Sequence, residues 1–149
     1  MASITVSVDI AVPRRVVWEE AADLSAHAEW MADAESVEFL SGSRRGTGTR
    51  MEVATRVGPL RTRDIIEVTE WIEGERIGVR HAGLVTGTGS FELTPLGAAL
   101  TRFTWQENLA FPWFLGGRLT ARIAALVLAA VWRGNLRRFR QRCEGGAAG

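Results

Sequence analysis

Apolar and polar residues alternate with a period of two at the start of the chain. Residues 3–10 (SITVSVDI) place Ile and Val on one face and Ser, Thr and Asp on the other, which predicts a strand with one buried face. Pro13 suits the first turn of a helix, and residues 14–25 (RRVVWEEAADLS) read as that helix. A shorter helix at 26–32 and an extended stretch at 36–42 follow. The chain therefore begins with a strand, two short helices and a second strand.

The middle of the chain is a series of alternating segments separated by a few turn residues. Five segments read as strands: GTGTRMEVATRVG (46–58), LRTRDIIEVTEWIEG (60–74), ERIGVRHAG (75–83), VTGTGSFELTPLG (85–97) and ALTRFTWQENLAF (99–111). Connections this short predict an antiparallel meander. The inward face of strand 61–72 stays open, because Ile66 and Val68 lie on one face while Ile65 and Trp71 lie on the other.

After Pro112 the spacing of apolar residues changes to intervals of three and four, which predicts one long helix. Its apolar stripe consists of Ala121, Ala125, Leu128, Trp132, Leu136, Phe139 and Cys143. This stripe must lie across the sheet, so residues 1–149 form a single domain. We expect residues 145–149 (GGAAG) to be a disordered tail.

Composition restricts the chemistry that the chain can perform. The 149 residues carry a net charge of +1, which gives no general attraction to nucleic acid. All eighteen basic residues are arginine, so a Schiff-base lysine and a P-loop lysine are excluded, and tyrosine is absent. A lone Cys143 and two distant histidines predict neither a disulfide nor a metal site, and no cofactor motif is present. With no signal-peptide pattern and an apolar run (123–132) about half of the ~20 residues that a membrane span needs, we expect a cytoplasmic protein.

One carboxylate lies on an apolar strand face. Glu107 shares its face with Phe103, Trp105 and Leu109. An ionised carboxylate in a dry core is unfavourable unless it is paired. Either Glu107 has a partner, or the strand frays at this position, or this face lines a cavity.

Several segments resemble the START-like (SRPBCC) superfamily, and within it the polyketide cyclase/dehydrase and lipid-transport group. The likeness lies in residues 10–40, with Pro13, the Val17-Trp18 pair and Trp30, and in the later segments VTEW (68–71) and GTGSFELTPLGAALTRFTW (87–105). It covers almost the whole chain. The resemblance implies an α+β helix-grip fold, in which a curved antiparallel sheet of about six or seven strands wraps around a long C-terminal helix and two short helices follow the first strand. It does not decide function, because the group contains carriers and cyclases.

A sheet that grips a helix leaves a groove between the two, and small residues in the first turns of the helix leave room for a cavity there. The strand pattern points Ile77, Gly87 and Gly89 into it. The candidate ligand-binding residues are Trp30, Met51, Val53, Val79, His81, Phe91, Phe103, Trp105, Glu107, Trp113, Ala125 and Leu128. Glu107 and His81 are also the candidate catalytic acid and base.

Three functions fit these features. The first is binding or carriage of an apolar small molecule, such as a lipid, an isoprenoid quinone or an aromatic polyketide. The second is a cofactor-independent cyclase or dehydratase that uses Glu107 and His81. The third is a docking module in which the stripe Leu119, Ile123, Leu126 and Ala130, with the arginines after it, contacts an acidic membrane surface or a partner. We expect the protein to be a monomer or a homodimer.

Overall fold

The computed structural model of the protein describes residues 2–111 and 117–147, and side chains in the second range as far as Gly145. The strands are β1 (Ala2–Ile10), β2 (Ala34–Phe39), β3 (Arg50–Val57), β4 (Leu60–Ile72), β5 (Arg76–Ala82), β6 (Thr86–Gly97) and β7 (Leu100–Ala110). The helices are α1 (Arg14–Ala22), α2 (His27–Trp30), which follows a 3₁₀ turn at Leu24–Ala26, and α3 (Arg118–Ala147).

The seven strands form one antiparallel sheet with the order β1-β7-β6-β5-β4-β3-β2. Neighbours in sequence are neighbours in the sheet from β2 to β7, as the short connections predicted. β1 closes the other edge by pairing with β7, with Val6 opposite Trp105. The predicted α+β helix-grip fold is therefore confirmed, with seven strands and one long terminal helix.

The C-terminal half of α3 forms the centre of the core. Trp132, Leu136, Phe139 and Cys143 from the predicted stripe are all buried. The ring of Phe139 lies 4.5 Å from that of Phe103 and 4.7 Å from that of Trp30, centroid to centroid. Packing of this density fixes the helix against β7 and α2.

The N-terminal half of α3 is much more exposed. Leu119, Ile123 and Leu126 are 71%, 53% and 73% exposed. By length and composition alone, Arg118–Gly145 would be long and apolar enough to cross a membrane, although its C-terminal half supplies core residues of the domain. The helix continues to Ala147 and so includes residues 145–147 of the stretch expected to be a tail.

A β-bulge in β4 explains why the sequence left its register open. The pairing with β5 shifts between Val68 and Glu70, so that Val68 lies opposite Val79 and Trp71 lies opposite Ile77. The extra residue places Val68 and Trp71 on the same face, although they are three positions apart. Before the bulge, the inward face also carries Asp64, which alternation alone left unassigned.

Candidate functional site

A cavity of about 760 Å³ lies between the sheet and the N-terminal half of α3. Eight predicted residues line it: Met51, Val53, Val79, His81, Phe91, Trp105, Glu107 and Leu128. Further apolar side chains come from β3, β4 and α3, among them Val57, Ile66 and Val127. The walls are therefore mostly apolar, which suits a hydrophobic ligand of moderate size.

Part of the cavity wall is also exposed to solvent. Pro59 lies in the turn between β3 and β4, Leu60 begins β4, and Ile123 and Val127 lie on α3. All four line the cavity and are exposed. Among the residues that the structure describes, the cavity therefore opens between this hairpin tip and the first turns of the helix.

The polar centre of the cavity is a hydrogen-bonded pair from β5 and β7. His81 Nε2 lies 2.8 Å from Glu107 Oε2. The indole Nε1 of Trp105 donates a second hydrogen bond of 2.9 Å to Glu107 Oε1. Both carboxylate oxygens are thus occupied, and only 5% of Glu107 is exposed. This explains how a carboxylate is tolerated on an apolar face.

A glycine in the intervening strand makes the pairing across β6 possible. Gly89 of β6 lies opposite Glu107 on one side and Val79 on the other. A Cβ atom at Gly89 would overlap the carboxylate of Glu107. The carboxylate therefore occupies the space that a side chain would take, and His81 reaches it over the strand.

The surroundings of His81 favour its charged form. Burial by itself lowers its pKa, but the hydrogen bond to Glu107, the charge of Glu107 and the charge of Asp64 outweigh burial and raise the pKa above its ordinary value of 6.5. These contacts therefore favour the imidazolium form of His81, which is able to donate a proton to a ligand oxygen.

Asp64 is a third titratable group in the cavity wall. Only 8% of Asp64 is exposed, and Thr62 Oγ1 donates a 2.8 Å hydrogen bond to its Oδ2. Its Oδ1 is buried and has no hydrogen-bond partner within the described residues. This oxygen lies over Gly83, where a Cβ atom would overlap it. Sequence reasoning missed Asp64; the alternation of Thr62, Asp64, Ile66 and Val68 was the available signal.

Two other polar residues of the wall have structural partners. His27 donates from Nε2 to the carbonyl of Ala21 at 2.9 Å. Burial lowers its pKa to about 4 against the opposing effect of that hydrogen bond, so His27 is neutral at pH 7. Asp33 accepts hydrogen bonds from Trp132 Nε1 at 3.1 Å and Asn135 Nδ2 at 2.7 Å. These contacts attach the loop after α2 to α3.

Three of the predicted ligand-binding residues are not part of the cavity wall, and a fourth lies where the structure is not described. Trp30 and Phe103 are fully buried in the core, where the Phe139 ring fills the space between the sheet and α3. Ala125 packs against the core at the edge of the helix, because α3 turns Ala124, Val127 and Leu128 toward the cavity instead. Trp113 lies outside the described residues. Within residues 2–111 and 117–147, no group of three or more metal-ligating side chains has a geometry suited to a metal ion.

Comparison with known proteins agrees with this architecture. The family model for polyketide cyclase/dehydrase and lipid transport matches residues 1–144. The chain belongs to the polyketide cyclase/dehydrase and lipid transport family. None of the curated proteins matches this sequence.

Solved structures with low sequence identity share the fold of this family member. TTHA0849 from Thermus thermophilus is 19% identical with a TM-score of 0.82, over 97% of this chain and 99% of the other. A START superfamily protein from Mycobacterium smegmatis is 14% identical with a TM-score of 0.79, over 96% and 97%. The Zhui aromatase/cyclase from Streptomyces sp. R1128 is 22% identical with a TM-score of 0.72, over 99% and 93%. Identities this low establish a common fold and leave the ligand undefined.

Proposed function

We propose that this family member binds an apolar small molecule and carries or senses it. The observation that supports this best is the cavity of about 760 Å³, with apolar walls and one hydrogen-bonded His81–Glu107 pair. Candidate ligands are a lipid, an isoprenoid quinone or an aromatic polyketide. The lone cysteine supports the cytoplasm as the proposed compartment.

The apolar walls would supply most of the affinity. A ligand that buries roughly 300 Å² of apolar surface gains about 7 kcal/mol at 25 cal/mol per Å². Part of this gain is lost to the entropy of association, so the expected affinity from the apolar walls alone is weaker than about 1 μM, which would require about 8.2 kcal/mol. The polar pair would orient one end of the ligand.

Native mass spectrometry of gently purified protein tests the proposal, followed by denaturing extraction of whatever is bound. We expect one apolar molecule per chain. Leu128→Trp should reduce the bound fraction, because Leu128 lines the cavity. Leu96→Trp is the matched control, since Leu96 is 42% exposed and lies outside both the cavity wall and the exposed stripe of α3. An empty wild-type protein in repeated preparations, or equal loss in both variants, would contradict the proposal.

A second candidate function is a cofactor-independent cyclase or dehydratase. The 2.8 Å contact between His81 and Glu107 favours it, because such a pair can polarise a carbonyl and move a proton at the neighbouring carbon. The chain also shares its fold with a protein described as an aromatase/cyclase. Glu107→Gln with His81→Ala should then keep ligand binding and abolish turnover. Unchanged conversion of a ligand would exclude the enzymatic role.

The exposed half of α3 supports a docking role during ligand exchange. Leu119, Ile123 and Leu126 are exposed beside Arg118 and Arg122, an arrangement suited to an acidic membrane surface. Binding to vesicles that contain anionic lipid should weaken as salt rises. If the same stripe instead joins two copies of the chain, light scattering will show a dimer and vesicle binding will be absent.

A further inference from the structure

The charges that face the cavity are mostly negative. Asp64 and Glu107 contribute carboxylates near His81, and Asp33 contributes a third at the end next to α3. His81 supplies the opposing charge, but its Nε2 is already bonded to Glu107. The lining residues that the structure describes include no arginine. A ligand with a carboxylate or phosphate would therefore meet like charge, and the one cationic group of the described lining, His81, is already paired with Glu107.

Asp64 has a carboxylate oxygen that accepts no hydrogen bond from the described residues. Its Oδ2 takes the hydroxyl hydrogen of Thr62, whereas Oδ1 is buried without a partner in the described part of the chain. A buried acceptor without a donor is unfavourable, and a ligand that brings a donor removes that penalty. Oδ1 lies over Gly83, and because the χ2 torsion of an aspartate is broad, a partial rotation turns this oxygen toward the cavity.

We propose that Asp64 recognises a hydrogen-bond donor, a hydroxyl or an ammonium group, on the apolar ligand, and that the cavity rejects ligands with an anionic head group. This inference rests on the proposed function and names the ligand class. The apolar body of the ligand lies along Met51, Val53 and Leu128, while its donor approaches the inward face of β4. His81 and Glu107 remain paired with each other.

Three fluorescent probes with one skeleton test the inference: anthracene bearing a hydroxymethyl, an aminomethyl or a carboxylate group at the same carbon. Binding is followed by quenching of the indole fluorescence, because Trp105 and Trp132 line the cavity. We expect the alcohol and the amine to bind at least about tenfold more tightly than the acid, the size of one charge-assisted hydrogen bond. The order of alcohol against amine shows whether the natural donor is neutral or charged.

Asp64→Asn should weaken alcohol and amine binding by about tenfold and leave the fold intact, because the amide has nearly the same shape. Glu67→Gln is the matched control on the same strand, since its side chain faces outward and pairs with Arg80. It should bind all three probes as the wild type does.

The outcomes separate the two proposals. Binding of none of the three probes overturns the proposed function and this inference with it. Equal binding of all three by the wild type, or a preference for the acid, overturns the inference alone and needs no variant. A preference for the alcohol and amine that survives in Asp64→Asn overturns the assignment to Asp64.

Discussion

The space above Gly89 should determine where the carboxylate of Glu107 lies. Gly89→Ala places a methyl group where that carboxylate is found. The carboxylate must then rotate away from the imidazole of His81 and the indole of Trp105, which lie at 2.8 and 2.9 Å. Each hydrogen bond to a charged group contributes about 1.5–3 kcal/mol to stability. Alanine also reduces the conformational entropy of the unfolded chain relative to glycine, which stabilises the folded state by about 0.4–1 kcal/mol. The net loss should be about 3 kcal/mol.

Urea unfolding and thermal melting measure this loss. For a domain of this size, we expect the melting temperature to fall by roughly 6–12 °C. Gly97→Ala is the matched control in the same strand, because a Cβ there meets no atom within 4 Å. It should leave stability unchanged or slightly higher.

A double-mutant cycle isolates the pairwise contribution. In a Glu107→Ala background the methyl group at residue 89 has no carboxylate to displace, so Gly89→Ala should cost almost nothing. A coupling energy near 3 kcal/mol is therefore expected. A free energy of unfolding for Gly89→Ala within about 0.5 kcal/mol of the wild type would contradict this prediction, as would an equal loss from the substitution in both backgrounds. The position of the Glu107 carboxylate would then not depend on Gly89.

Three further predictions follow from the hydrogen bonds. Because the pKa of His81 is raised in the folded state, its contribution to stability is fully present below pH 6.5 and is lost as pH rises through the folded pKa. Glu107→Gln should lower the pKa of His81 in an NMR titration and abolish this loss of stability. An unchanged titration would contradict the pairing. Asn135→Ala should lower the free energy of unfolding by about 3 kcal/mol, since it removes three hydrogen bonds at a buried residue. Asn108→Ala, which removes one exposed hydrogen bond, should lower it by less than about 0.5 kcal/mol. Equal losses in chemical unfolding would refute a stabilising role of the Asn135 hydrogen bonds. Two indole N–H groups and a guanidinium lower the pKa of Glu73 to about 2, so its contribution to stability is present above pH 4.5 and is lost as pH falls toward 2. Glu73→Gln should remove this part of the loss of stability in acid. A wild-type acid unfolding profile in the variant would contradict the prediction.

The fold was predictable because its signals are local. Alternation in the strands, short turns and one long stripe of spaced apolar residues are properties of neighbouring positions, and each element appears where they predict it. The core residues at the C-terminal end of α3 were on the predicted stripe for the same reason.

The cavity wall was only partly predictable, because it depends on relations between distant residues. Trp30 was assigned to the wall, yet the ring of Phe139, 109 positions later, encloses it in the core. Asp64 precedes the bulge and alternates with Ile66 and Val68, but the extra residue in β4 puts Trp71 on the same face and so obscures that alternation in the sequence. The pairing of His81 with Glu107 requires Gly89 between them, a condition visible only when the register of three strands is known.

The hydrogen bonds at Asn135 divide α3 into two regions of different local stability. Asn135 Oδ1 accepts from the backbone N–H of Ala32 and from Arg138, and the Nε of Arg138 donates to the carbonyl of Trp30. Amide protons from Leu136 to Cys143 should exchange with solvent only on global unfolding, whereas those of the first three turns should exchange through opening of that segment alone. A ligand that leaves past this half of α3 would then have a lifetime set by the opening rate of that segment, on a time scale much shorter than that of unfolding.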